Sequence, residues 1–276
     1  MTDLVPGSNS FATSNSPTTT LAPLRTVPAF GLYAAHVRAL LTETVRIPIA
    51  IIGSMVFPAM SLLFFVVPNR AIADDPVAAT QAVISLSVFA VMVSALFNLG
   101  LTIAENREKP WDPYLRSLPL PATVRIGAQL TATSALSFAA IVPVLLVGWI
   151  ATAAEVSPLG LVLGLVVLAL TNVPFLLLGV SIGYAFPAKA AIAVIQVGMF
   201  GFAFAGGLFF PPQFFPDWLD AISRVIPARH ARDLVISAVE GTTPDVWMLL
   251  GTISWTIGVA ALAVWLYRRD EGHRFR

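Results

Sequence analysis

The chain has 276 residues, of which 57% are hydrophobic and 11% charged, and its mean hydropathy is +0.82. Disordered chains and ordinary soluble domains are excluded, since the latter carry about 25% charged residues. Sixteen Lys and Arg against 15 Asp and Glu give a net charge of +1 with no basic cluster suited to nucleic acid, and the lack of cysteine removes disulfides, thiolate metal sites and cysteine nucleophiles.

Residues 1–28 are rich in Ser, Thr, Asn and Pro and lack the apolar core of a signal peptide, so they are expected to form a flexible tail. Across 29–46, Phe30, Tyr33, Val37, Leu40, Leu41 and Thr44 share one helical side, with His36, Arg38, Thr42, Glu43 and Arg46 opposite. This pattern predicts an amphipathic helix lying in the membrane interface, or alternatively an extension of the first membrane span.

Six apolar stretches follow, at 47–67, 80–104, 124–151, 159–184, 191 to about 210, and 246–267. Each is long enough to cross about 30 Å of hydrocarbon, which takes roughly 20 helical residues. The expected fold is all-α: a polytopic membrane protein whose six transmembrane helices occupy 47–267, with a tail at 268–276. No Asp, Glu, Lys or Arg lies in the apolar interior of a span, which disfavours an ion-coupled carrier and a charged cargo. Asn98, Asn172 and Gln196 are the interior amides, placed either to bond a neighbouring helix or to face a ligand. Pro58, Pro143 and Pro174 are expected to kink their spans. Twelve of the Lys and Arg fall in the segments on the side of the two termini and four on the other side, so the positive-inside rule puts both termini in the cytoplasm of a cell-membrane protein.

Two connections are too elaborate for simple turns. Residues 105–121 read ENREKPWDPYLRSLPLP, where Asp112 could cap a short helix beginning at Pro113 and presenting Tyr114, Leu115 and Leu118. With Trp111 this makes an aromatic and aliphatic ridge for docking a protein, or else a loop resting at headgroup level. Residues 206–245 read as a helix-turn-helix hairpin dipping into the outer leaflet, with Phe214, Phe215, Trp218, Leu219 and Ile222 along its first apolar side. After Pro227 a second pattern runs through Ala231, Leu234 and Val235, while His230 between arginines reads as a solvated loop residue. The three histidines are too scattered to suggest a metal site.

This ordered set of entry helix, six spans, Glu-initiated loop and proline-bearing outer segment resembles the membrane subunits of type-two ABC exporters, the group that includes the daunorubicin-resistance permeases of actinobacteria. Residues 109–112, Lys-Pro-Trp-Asp, depart from the Gly-Thr-type step more usual in that group. The resemblance implies a coupling helix seated in a nucleotide-binding subunit, with Glu105, Arg107, Glu108, Trp111, Tyr114, Leu115, Leu118 and Pro119 as contacts. It also implies an outer hairpin that closes the extracellular side, with Phe209, Phe210, Phe214, Phe215 and Trp218 as the gate. Alternatively, those aromatics serve packing alone.

Inward positions of the first, second and fifth spans are expected to carry the substrate pathway, through Phe64, Phe89, Phe97, Asn98, Gln196, Met199, Phe200 and Phe204. The cargo would be apolar or amphipathic, such as a drug or antibiotic-like compound. The only lysines, Lys109 and Lys189, follow Glu108 and Ala188, so no Gly-Lys-Ser or Gly-Lys-Thr loop is present. ATP and magnesium are therefore expected on the partner, with no cofactor on this chain and no catalysis of its own. A second permease chain, identical or paralogous, would complete the unit within the membrane lipid. Export of a lipid-linked or glycan substrate, or a non-transporting membrane scaffold, is the alternative.

Overall fold

Helix starts follow local chemistry. The Asp75 carboxylate accepts the Ala78 N–H at 2.7 Å with Pro76 in the first helical position, and Ser157 repeats the device with Gly160 at 3.0 Å ahead of Pro158. The computed structural model describes residues 29–46, 48–110 and 122–274, and among these are helices and connections but no strand. The helices are α1 (Ala29–Val45), α2 (Pro48–Ser61), α3 (Pro76–Ser94), α4 (Ala122–Ala151), α5 (Pro158–Ala185), α6 (Ala188–Ala205), α7 (Asp217–Ser223), α8 (Pro227–Glu240) and α9 (Val246–Arg274). Helix α2 runs on as a π-helix through Leu62–Val66, and α3 through a π segment, Ala95–Leu101, into a last regular stretch at Thr102–Glu108.

Among the described residues, five helical stretches are long and apolar enough to cross a membrane: Pro76–Glu108, Val124–Ala151, Pro158–Ala185, Ala188–Ala205 and Val246–Asp270. The chain is a multi-pass membrane protein. The first expected span contributes a shorter apolar section, Met55–Val66. The fifth expected span ends at Ala205 rather than near 210, because Gly206 caps the helix and Gly207 turns the chain at φ +78°. Helix α1 ends before a turn at Arg46, so it is distinct from α2. It packs along α4, with the Tyr33 hydroxyl 2.5 Å from Thr131 Oγ1.

Helix α3 is the core. Its most apolar window is 83% buried, against 17–39% for the other four, as expected of a helix apolar on every side. Ser85 and Ser87 spend their hydroxyls on the Gln81 and Val83 carbonyls of the same helix, so neither leaves its own donor unpaired. The π segment lies directly on the backbone of α5. A Cβ added at Gly179 would come within 2.7 Å of the Ala95 carbonyl, and one at Gly183 within 2.7 Å of the Gly100 carbonyl. Only glycine permits that approach.

Gly179→Val should therefore lower stability by about 1–3 kcal/mol through overpacking. Gly198→Ala, where an added Cβ meets nothing within 4 Å, should instead raise it by up to about 1 kcal/mol through helix propensity. Thermal melting of the purified protein in detergent compares the two.

Candidate functional site

A cavity of about 760 Å3 opens beside α3 and is walled by α1, α2, α4 and α6 as well. Of the residues singled out for a substrate pathway, Phe97, Asn98, Gln196, Met199 and Phe200 line it. Asn98 sits in the π segment and donates to Ser94 Oγ at 2.9 Å. The remaining expected pathway residues lie elsewhere. Phe89 is fully buried, while Phe64 and Phe204 are exposed and line neither this cavity nor the second one described below. Asn172 is buried in α5 with no hydrogen-bond partner among the described residues.

The sequence reading missed the polar wall of Gln129 and Thr133, because the third span was not expected to face the cavity, and on the first span it singled out Phe64 rather than Phe57. It also missed charge. Glu43, Glu105 and Lys109 all line the cavity, which corrects the expectation of a pathway without charged groups. Those residues belong to helix flanks rather than span interiors, so a count of charges within spans does not register them. Lys109 Nζ donates to Asn106 Oδ1 at 2.6 Å.

From this cavity a contiguous set of aromatic rings runs along the bundle. Phe57 contacts Phe200 at 6.1 Å and Phe89 at 5.6 Å, and Phe89 contacts Phe209 at 4.9 Å. Phe209 in turn meets Phe65 at 6.1 Å and Phe204 at 5.0 Å, and Phe204 meets Phe210 at 6.2 Å. Residues expected in the pathway and residues expected in the gate thus form one cluster. Phe214 and Trp218 stand apart as exposed side chains, and Phe215 is half-buried.

At the end of α3 that leads into residues 111–121, three neighbours are tied down. Arg107 reaches across to α9, donating through Nη2 to Asp270 at 2.5 Å and through Nε at 3.1 Å, and it also donates to the Gly183 carbonyl at 2.8 Å. Its guanidinium lies 5.5 Å from the Tyr184 ring centroid. Glu108 accepts the Ala188 N–H at 2.8 Å, a carboxylate on the otherwise unsatisfied first turn of α6. Glu105 is exposed on the cavity side. The other expected contacts, Trp111, Tyr114, Leu115, Leu118 and Pro119, lie outside the described residues.

The opposite end carries the hairpin. Its second helix, α8, is the buried one, packed against α3, α5 and α9. The first helix, α7, is only seven residues long and leaves Trp218 and Ile222 exposed. An alternating ionic chain runs Arg224, Asp220, Arg229, Asp233, Arg232. Asp220 is 2.9 Å from Arg224 and 3.4 Å from Arg229, Arg229 pairs with Asp233, and Asp233 is 2.6 Å from Arg232. His230 is no solvated loop residue. It is 3% exposed, with Nε2 2.8 Å from the Arg224 carbonyl and its ring against Trp247 and Gly251. Burial, aided by Arg229, holds its pKa below the ordinary 6.5, against the raising effects of the Arg224 carbonyl and Asp233.

Residues 179–183, Gly-Val-Ser-Ile-Gly, have the spacing of a hydrolase nucleophile elbow. They lie inside the continuous helix α5, however, and Ser181 donates to the Leu177 carbonyl. The glycines serve the contact with α3 instead.

A multi-pass helical bundle with a cavity walled by several of its helices suits a membrane transport subunit. The comparisons with known proteins agree. The family model described as "ABC-2 type transporter" matches residues 30–239, and the chain belongs to that family. It is also 25% identical over 222 residues to the protein named "Putative transport permease YvfS" from Bacillus subtilis (strain 168), covering 80% of this chain and 91% of that one.

Removing one partner of the buried Arg107–Asp270 pair should be costly. Asp270→Ala is expected to lower stability by about 3–5 kcal/mol, and Arg107→Lys to lower it too, since an ammonium lacks the planar fork that meets Asp270 on one edge and the Gly183 carbonyl on the other. A double-mutant cycle on melting temperature measures the coupling.

His230 yields a pH dependence. Its depressed pKa means that the unfolded chain binds the proton more tightly, so the contribution to stability is fully present above pH 6.5 and is lost as pH falls through the lowered value. A pH series of melts should show this decline, and His230→Gln should flatten it.

Proposed function

We propose that the chain is the permease subunit of an ATP-driven exporter, working as six spans with both termini in the cytoplasm. A separate nucleotide-binding subunit supplies ATP hydrolysis with magnesium, and a second permease chain, identical or paralogous, completes the pore. The observation that carries this reading is the position of the 760 Å3 cavity beside Glu105 and Lys109, the residues that lead directly into 111–121. Helix α3 borders the site and ends at Glu108, shortly before that segment.

In this reading, docking of 111–121 on the motor subunit moves the end of α3. Through Arg107 and Glu108 that displacement reaches α5, α6 and α9 together. The π segment, with its looser ladder, is where α3 can bend between the pinned end and the buried core. The phenylalanine cluster around Phe209 separates the cavity from the hairpin and serves as the external gate. The cargo is amphipathic, its apolar body against Phe57, Phe97 and Phe200 and its polar part toward Glu43 and Glu105.

The test uses the full chain co-expressed with its motor subunit. Trp111, Tyr114 and Leu115 all changed to Ala should abolish cargo efflux and the permease-dependent stimulation of ATPase activity, while the protein stays inserted. Phe57→Ala with Phe200→Ala should lower efflux at least tenfold and leave motor binding intact. Unchanged efflux in the triple variant would overturn the docking assignment. Co-purification from the native membrane without any ATPase would favour the scaffold alternative.

A further inference from the structure

A second cavity, of about 440 Å3, lies at the hairpin end, between the π turn of α2, the start of α3 and residues 207–214. Its charged lining residue is Arg232. This side chain is 5% exposed, deeper than an arginine sits unless something meets its charge. Its Nε donates to Ser85 Oγ at 2.9 Å and its Nη1 to Asp233 at 2.6 Å. A guanidinium has five N–H donors, so three remain without a partner among the described residues.

Charge balance points the same way. The ionic chain ending at Arg232 holds three arginines and two aspartates. Arg224, at its other end, is 64% exposed and is stabilised by water. Arg232 is largely withdrawn from bulk solvent, with a side chain 6% exposed, and it shares Asp233 with Arg229. Glu240 is the next carboxylate, but it is exposed, accepts a hydrogen bond from Gln81 Nε2 at 3.0 Å, and acts through solvent.

The rest of the wall is amphipathic. Phe65, Phe210 and Phe214 supply apolar surface, while Asn69 and Gln213 add amide groups to the lining. The cavity borders α3 from Ala78 to Leu86, the opening turns of the apolar stretch that begins at Pro76, at the hairpin end of the bundle.

We propose that this cavity binds an amphiphile with an anionic head, a phosphate or carboxylate, whose charge rests on Arg232 while its chain lies against Phe65, Phe210 and Phe214. The head group completes the ionic chain with a charge-assisted hydrogen bond. A bilayer lipid and an exported compound share this chemistry. The site is separate from the cavity assigned to cargo loading, and it stands whether or not the export reading does.

The experiment uses the full chain in nonionic detergent and a dodecyl phosphate carrying a photoreactive diazirine in its tail. Labelling should fall on peptides covering 62–72 or 207–214, compete with unlabelled dodecyl phosphate and dodecanoate, and drop about tenfold or more in Arg232→Gln. Because that variant disturbs the ionic chain, Gln213→Glu serves as the second: an exposed position where a repelling carboxylate should cut labelling without changing the melting temperature. Equal labelling of the same peptides by the matching dodecanol probe, or unchanged labelling in Gln213→Glu, would overturn the proposal. Native mass spectrometry of the chain from its own membrane distinguishes the sources. One retained phospholipid per chain, lost in Gln213→Glu, identifies a resident lipid. Efficient probe labelling with no retained lipid identifies a site open to exported compounds.

Discussion

The structure depends on one helix that has almost no surface of its own. Helix α3 gives up lipid contact along most of its length, and the contact with α5 through Gly100, Gly179 and Gly183 brings backbone against backbone where the π segment widens the turn. In hydrocarbon, apolar side chains gain little from burial, so close packing of small residues does the work that the hydrophobic effect does in water. Both cavities border this helix, and both take part of their walls from it. A shift of α3 therefore alters both at once.

Its two ends are fixed by different electrostatics. At one end Arg107 spans from α3 to Asp270 of α9 and to a carbonyl of α5, a bridge between three elements with the charge matched in place. At the other, Arg232 comes to α3 from the hairpin and bonds a serine hydroxyl that is already committed to its own helix. The first arrangement is closed and suits transmission of force. The second keeps donors open toward a cavity, which suits a ligand. A buried ion pair adds less stability than its short distances suggest, because desolvation offsets most of the attraction. What such pairs supply is register: each fixes where a neighbouring element meets α3.

How much of this could be read from the sequence follows the same physics. Long charge-free apolar runs announce membrane helices, because hydrocarbon tolerates little else. Asp75-Pro76 and Ser157-Pro158 likewise announce helix starts by a local device. Phe97 and Asn98 on the second span, and Gln196, Met199 and Phe200 on the fifth, were legible because polar or aromatic residues on one helical side suggest a lined space. Phe57 and Gln129 were not, since only the packing of α2 and α4 turns them toward the cavity. His230 read as solvated because it stands between arginines, and charged residues four apart are also the pattern of an exposed helix. In the folded chain the same spacing neutralises a helix that is buried, and sequence spacing does not separate those cases.

The π segments were illegible for a related reason. In α2 the widened turn follows Pro58, whose missing donor disturbs the ladder. The segment at Ala95–Leu101 contains no proline. An extra residue in a turn rotates everything beyond it relative to what precedes it, so the widening re-aims the Thr102–Glu108 stretch against the rest of α3. That rotation decides where Glu105 and Arg107 point: Glu105 lines the cavity and Arg107 meets α9 and α5. Without the inserted residue, regular 3.6-residue spacing would turn these two side chains by roughly 100°, and the cavity rim and the bridge to α9 could not both form. The widened turn is thus what lets one short stretch border the larger cavity on one side and the neighbouring helices on the other.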